Sequence, residues 1–183
     1  MTEEQGKILL RLARNAIAKE LGERTEEIRK ENWLNESGAT FVTIMHNGEL
    51  RGCIGSIEAR RSLGEDVEEN AVAAALKDYR FPPLEPDELD GTEIEVSLLS
   101  PLTELTFSNE EEAIAQLRPG IDGVVFKDNH VRSTFLPQVW EKLPDARKFL
   151  TELKLKAGLA PNFWSPEVRL YRYAVTKWRE KDL

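Results

Sequence analysis

Asn47 and Gly48 stand between two runs rich in β-branched and aromatic residues, at 40–45 and 49–57. An Asn-Gly pair flanked by such runs is typical of a two-residue hairpin turn. A second hairpin is predicted between residues 123–127 and 130–134. Short hairpin turns join antiparallel strands, and helices are expected elsewhere in the chain. The sequence therefore predicts the α+β class.

Three stretches have the pattern of a capping box, in which a hydroxyl residue precedes an acid or amide by three positions. They begin at Thr2, Ser62 and Ser108, and each is expected to open a helix. Proline loops at 101 and 161–166 bracket a block with its own hairpin and helices. We therefore predict a larger subdomain of residues 1–101 and 163–183, and a smaller one of residues 102–162.

The chain has 183 residues and a formal net charge of -8, which disfavours binding to nucleic acid. A local basic patch at Arg147, Lys148, Lys154 and Lys156 is the alternative, although such helical spacing is typical of a solvated face. One cysteine excludes an intrachain disulfide. No apolar run approaches the roughly 18 residues of a membrane span. We expect a cytoplasmic protein that does not bind membranes.

Residues 50–55, LRGCIG, hold the only cysteine of the chain on the second strand of the first hairpin. Gly52 and Gly55 flank it there, and a glycine inside a strand often marks the close approach of another group. Arg51 lies two residues from Cys53, so its charge is expected to lower the thiol pKa. Cys53 is therefore the candidate catalytic nucleophile, and the alternative is a small buried residue.

A two-residue turn sets the expected register of this hairpin. With no irregularity, Val42 lies opposite Cys53, and Val42, Ile44, Arg51 and Cys53 share one face of the sheet. Arg51 is also a candidate for binding an anion through its planar guanidinium. A salt bridge to a strand neighbour is the alternative.

Further candidate binding residues lie beside two proline turns. Asp78 and Arg80 flank Tyr79 in an extended segment, where they either line a cleft or form a structural ion pair. Thr134 and Gln138 surround a predicted helix start at Pro137. They either receive an anion there or only cap the helix, with Ser133 or Thr134 as the cap. No pair of ligands has zinc spacing, so no metal site is predicted.

Six blocks in this order resemble the AMMECR-one family, also called AmmeMemoRadiSam system protein A. The resemblance covers nearly the whole chain. The blocks are LRGCIG at 50–55, DYRFPPL at 78–84, IEVSLLSP at 94–101, GIDG at 120–123, TFLPQVWE at 134–141 and KAGL at 156–159.

The resemblance implies two subdomains, each with an antiparallel sheet flanked by helices, the smaller inserted in the larger. It also implies that the strand at 50–55 faces a cleft between them, and a functional link to Memo-type and radical SAM proteins. Lys154 stands where relatives often have a cysteine. No cofactor or reaction is implied. We expect a protein that binds, or also modifies, a peptide or small-molecule partner in this cleft. The alternative is a non-catalytic scaffold for a partner protein.

Overall fold

The computed structural model describes residues 1–29 and 31–182. Two compact units form, Met1–Leu99 with Thr176–Leu183, and Ser100–Val175. The second unit is inserted in sequence between the two segments of the first. The proline loops predict that residues 100–101 and 163–175 belong to the larger subdomain. They lie in the second unit, because the strand Arg169–Tyr173 pairs with Gly123–Asp128.

Helices and antiparallel strands together confirm the α+β class. Four short 3-10 helices also occur among the described residues, at Asn32–Asn35, Pro86–Gly91, Pro137–Glu141 and Glu180–Asp182. The other elements, in chain order, are α1 (Glu3–Glu20), β1 (Ser37–Gly38), β2 (Thr40–His46), β3 (Glu49–Gly55), β4 (Arg61–Ser62), α2 (Leu63–Leu76), β5 (Thr92–Leu99), β6 (Thr103–Glu104), α3 (Glu110–Gln116), β7 (Gly123–Asp128), β8 (Val131–Phe135), α4 (Ala146–Lys156), β9 (Arg169–Tyr173) and β10 (Val175–Arg179).

The first unit is built on a four-stranded sheet in the order β10-β5-β2-β3. Its core joins apolar residues of α1 and α2 to inward-facing residues of β2 and β5, among them Leu9, Ala71, Val42, Ile44 and Ile94. The two helices thus cover one face of the sheet, which we call the helix-covered face. Because β3 is last in the strand order, one of its edges has no neighbouring strand.

Local capping explains where the helices begin. Thr2 with Gln5 and Ser62 with Glu65 form both reciprocal hydrogen bonds of a capping box, as predicted. The third predicted box is displaced by one residue. Asn109 rather than Ser108 is the N-cap of α3, since its side chain accepts a hydrogen bond from the backbone N–H three residues later.

The pairing of β2 with β3 contains a β-bulge at Arg51. Beyond the bulge, Thr43 lies opposite Cys53. The predicted register, with Val42 opposite Cys53, is wrong because the extra residue shifts every later pair by one. Alternate residues of a strand face opposite sides of the sheet. Cys53 therefore lies with Thr43 on the face away from α1 and α2, and does not share the face of Val42 and Ile44.

The second unit has a four-stranded sheet in the order β6-β9-β7-β8. Its core contains Val124 and Phe126 of β7 and Phe149 of α4. The Trp140 ring stacks on Phe149 with centroids 3.7 Å apart, and its indole N–H donates to the Asp122 carbonyl. Among the described residues, no helix is both long and apolar enough to cross a membrane.

Gly52→Ala tests the contact between β3 and α2. A Cβ at position 52 would lie 2.1 Å from the Ala74 carbonyl oxygen, so the helix backbone must move. We expect the free energy of unfolding, measured by denaturant titration, to fall by about 1–3 kcal/mol relative to the parent protein.

Gly64→Ala is the matched control for this substitution. A Cβ there would make an ordinary 3.5 Å contact with Leu34, and alanine favours helix over glycine by up to about 1 kcal/mol. We expect this variant to be as stable as the parent or more stable. If Gly52→Ala matched it, β3 and α2 would not be in contact at this position.

Candidate functional site

Cys53 lies on the edge strand β3, half-buried, on the face of the sheet away from the helices. The Thr43 hydroxyl donates a hydrogen bond to its Sγ at 3.3 Å. Glu95 lies opposite Thr43 on β5, and its carboxylate forms ion pairs with Lys177 and Arg179 of β10. We call these five residues the polar face.

Burial raises the pKa of the Cys53 thiol above its ordinary value. The Thr43 hydrogen bond and the Arg80 charge act in the opposite direction, and the Asp78 and Glu95 carboxylates raise the pKa further. Arg51 is not among the groups that shift it. The expected lowering of the thiol pKa by Arg51 is therefore wrong, and the physical reason is that its guanidinium is engaged elsewhere.

The edge of β3 is covered by residues 78–85, which we call the strap. The Asp78 carboxylate accepts a hydrogen bond from the Cys53 backbone N–H at 2.9 Å. Arg80 donates to the Cys53 carbonyl at 3.2 Å and to both Asp78 oxygens at 2.9 and 2.6 Å. Both backbone groups of Cys53 that face outward are thus satisfied by side chains, where a neighbouring strand would otherwise bond.

Asp78 is held as a carboxylate by these contacts. Its side chain is 2% exposed, and the hydrogen bonds from Arg80 and the Cys53 N–H keep the pKa of Asp78 far below its usual range. The predicted pair of Asp78 and Arg80 therefore exists as an ion pair that fixes the strap to β3. Its role in binding a ligand stays a prediction.

Arg51 of β3 is bonded both to the strap and to the 3-10 helix that follows it, and so attaches this region at a second place. Its guanidinium donates to both carboxylate oxygens of Glu88 at 3.0 and 2.9 Å. It also donates to the carbonyls of Pro82 and Pro83 at 2.8 and 3.3 Å. With its side chain 12% exposed and four of its five N–H donors engaged, Arg51 has one donor left for an external anion. Anion binding by Arg51 stays a prediction.

Close packing explains why residues 52 and 55 are both glycine. A Cβ at Gly52 would meet the Ala74 carbonyl of α2, and a Cβ at Gly55 would lie 2.2 Å from the Phe41 ring. Another group does approach each glycine, as the sequence predicted, and in both cases it belongs to the protein itself. A role of Gly52 or Gly55 in ligand binding is untested.

Thr134 and Gln138 belong to the second unit, whereas the other predicted site residues gather around β3 in the first. The Thr134 hydroxyl donates to the Val124 carbonyl at 2.8 Å and lies 3.0 Å from the Tyr173 hydroxyl. Gln138 is exposed on the 3-10 helix Pro137–Glu141. The predicted cap at Ser133 or Thr134 is wrong, because the N-cap is Leu136 and no side chain bonds there.

No motif in the sequence marks Thr43, Glu88 or Glu95 as site residues. Thr43 and Glu95 are opposite each other on β2 and β5, so they share a face of the sheet. Cys53 lies on the same face only because the bulge shifts the register of β3 by one residue. The Arg51–Glu88 pair joins residues far apart in sequence, and no local pattern predicts it. The described residues contain no group of three or more His, Cys, Asp or Glu side chains arranged to hold a metal ion.

Sequence similarity to known proteins covers nearly the whole of this chain. The AMMECR1 family model matches residues 10–178. A protein of Methanothermobacter thermautotrophicus is 35% identical over 98% of this chain and 96% of its own length. Protein MK0488 of Methanopyrus kandleri is 36% identical, over 100% of this chain and 91% of its own length.

A solved structure has the same fold. The crystal structure of the uncharacterized protein PH0010 from Pyrococcus horikoshii matches with a TM-score of 0.88 at 31% identity. It covers 99% of this chain, which in turn covers 94% of that structure. By its match to the family model and by its full-length similarity to these relatives, the chain belongs to the AMMECR1 family.

Proposed function

We propose that this protein is a non-catalytic binding module that captures a partner protein through Tyr79 of the strap. The observation that carries the proposal is that Tyr79 is 94% exposed on a segment fixed at both sides. Partners of the Memo and radical SAM types, implied by the family resemblance, are the candidates. The function is thus assembly of partner proteins.

The strap holds Tyr79 in a rigid turn. The Phe81 N–H donates to the Asp78 carbonyl at 3.0 Å, and Asp78 and Arg80 are both bonded to Cys53. Tyrosine and arginine are enriched among the residues that dominate binding energy at protein interfaces. These bonds order the backbone on both sides of Tyr79 before binding, so ordering this segment costs less conformational entropy when a partner binds. This geometry supports a docking role for Tyr79.

The state of Cys53 favours binding over catalysis. A thiolate is the nucleophilic form of cysteine, and enzymes lower the thiol pKa to obtain it. Here burial raises the pKa of Cys53, so the thiol is protonated at neutral pH. A protonated, half-buried thiol that accepts a hydrogen bond from Thr43 is suited to packing.

The charge distribution supports a protein rather than a nucleic acid as the partner. The net charge is -8, and two of the four basic residues of α4 form ion pairs with acidic residues. Arg147 pairs with Glu111, and the buried Lys154 pairs with Glu110 at 2.6 Å. Phosphate backbones require unpaired clusters of lysine and arginine.

The first test measures the rate of alkylation of Cys53 by iodoacetamide against pH on the native protein. Burial raises the thiol pKa, so we expect the rate to rise with a midpoint above about 8.5, the value of a free cysteine. Cys53→Ser should take up no label, because the chain has one cysteine. A midpoint below pH 7 would reveal a thiolate nucleophile and contradict the non-catalytic role.

The second test is Tyr79→Ala, measured by titrating labelled protein with a purified Memo-type protein and a purified radical SAM protein. We expect the Kd for at least one of them to rise about tenfold or more, because the substitution removes the aromatic side chain that the interface would bury.

Leu155→Ala is the matched control, since Leu155 is a 43% exposed apolar residue of the second unit. We expect it to leave the Kd unchanged. Equal affinity of both variants would exclude Tyr79 as the anchor. Absence of binding to either protein would exclude the proposed partners.

A further inference from the structure

Residues 82–86, PPLEP, run from the strap into the first residue of the 3-10 helix Pro86–Gly91, and we call them the proline segment. Each proline fixes its own φ and disfavours the helical region for the residue before it. Pro82 and Glu85 both precede a proline, so both are restricted to extended backbone. Glu85 has φ −92° and ψ 154°, close to the polyproline II values of about −75° and +145°.

The backbone of the proline segment is bonded to other parts of the first unit. The Pro82 and Pro83 carbonyls accept hydrogen bonds from Arg51, at 2.8 and 3.3 Å. The Leu84 N–H donates to the Ala75 carbonyl of α2 at 2.9 Å. A polyproline II helix forms no hydrogen bonds within itself, so its backbone groups are free for such contacts. These bonds hold the segment in place and leave its proline rings unused.

Burial along this stretch repeats every three residues, which is the period of a polyproline II helix. Phe81 is half-buried, and Leu84 is 2% exposed and belongs to the core of the first unit. The other residues of the segment are exposed: Pro82, Pro83, Glu85 and Pro86. One side of the three-sided helix thus faces the protein, and the other two sides face outward.

Pro83 and Pro86 have the spacing of a PxxP ligand. Segments with this spacing dock in grooves lined by aromatic side chains, as in SH3 domains, and the preformed helix lowers the entropic cost of binding. A groove that holds a three-sided helix contacts two of its sides. Here two sides are open, and the third is the one that attaches the segment to its own protein through Leu84.

We propose that the proline segment docks in an aromatic-lined groove of a partner protein, with the rings of Pro83 and Pro86 in contact with the aromatic side chains. This inference rests on the proposed function, because the groove belongs to the partner that Tyr79 captures. Tyr79 lies in the turn directly before the segment, so one partner can contact both.

The test uses a fluorescein-labelled SH3 domain that recognises PxxP ligands as the probe. The full chain is titrated into it, and binding is measured by fluorescence anisotropy. We expect saturable binding, and a Kd at least tenfold higher for the double variant Pro83→Ala, Pro86→Ala, because both contacting rings are removed. An SH3 domain whose groove tryptophan is replaced by alanine should also bind the parent chain at least tenfold more weakly. That result does not depend on the folding of any variant of this chain.

The control variant is Pro101→Ala, Pro161→Ala, which removes two exposed prolines outside the helices and strands of the second unit. It should change the Kd less than twofold. Equal weakening by the two double variants, or no binding of the SH3 domain to the parent chain, would overturn the proline segment as a docking ligand.

The SH3 domain is a different protein from the partners titrated with Tyr79→Ala, so the two proposals fail separately. If Tyr79→Ala weakens partner binding and the SH3 domain does not bind, the proposed function stands and the role of the proline segment is refuted. If the SH3 domain binds through Pro83 and Pro86 and Tyr79→Ala has no effect on partner binding, the proline segment stands and Tyr79 is refuted as the anchor.

Discussion

The carboxylate of Asp78 is the group on which the arrangement around β3 depends. It accepts the backbone N–H of Cys53 and holds Arg80, which in turn bonds the Cys53 carbonyl. An edge strand exposes unpaired backbone groups that invite pairing with another chain. Two charged side chains from the strap take up these groups at Cys53. This contact thus has a structural role, and it also fixes the backbone position of the neighbouring Tyr79.

Arg51 extends the same attachment to the 3-10 helix that follows the strap. The bulge makes Arg51 the extra residue of β3, and its guanidinium reaches Glu88 and two proline carbonyls. The LRGCIG and DYRFPPL blocks are therefore held together by these hydrogen bonds in this family member. Cys53 belongs to the LRGCIG block, and burial raises its pKa, which is why the proposed activity is binding.

Local signals predicted most of the fold. Capping boxes at Thr2 and Ser62 and the turn at Asn47-Gly48 lie where the sequence predicted them, because each depends on neighbours within a few residues. The register of Cys53 could not be predicted, because a bulge inserts one residue with no obligatory sequence signal. Arg51 pairs with Glu88 through a tertiary contact between residues far apart in sequence. The hydrophobic periodicity of the sequence carries no information about such contacts.

Amide hydrogen exchange at Cys53, resolved by NMR, tests the central claim most directly. In the parent protein the Cys53 N–H is bonded to Asp78, so it should exchange slowly although it faces the open edge of the sheet. In Asp78→Ala it should exchange at least tenfold faster, while amides of the β2–β5 ladder keep their rates. An unchanged rate at Cys53 in this variant would contradict the account, because the strap would not then be what covers the edge.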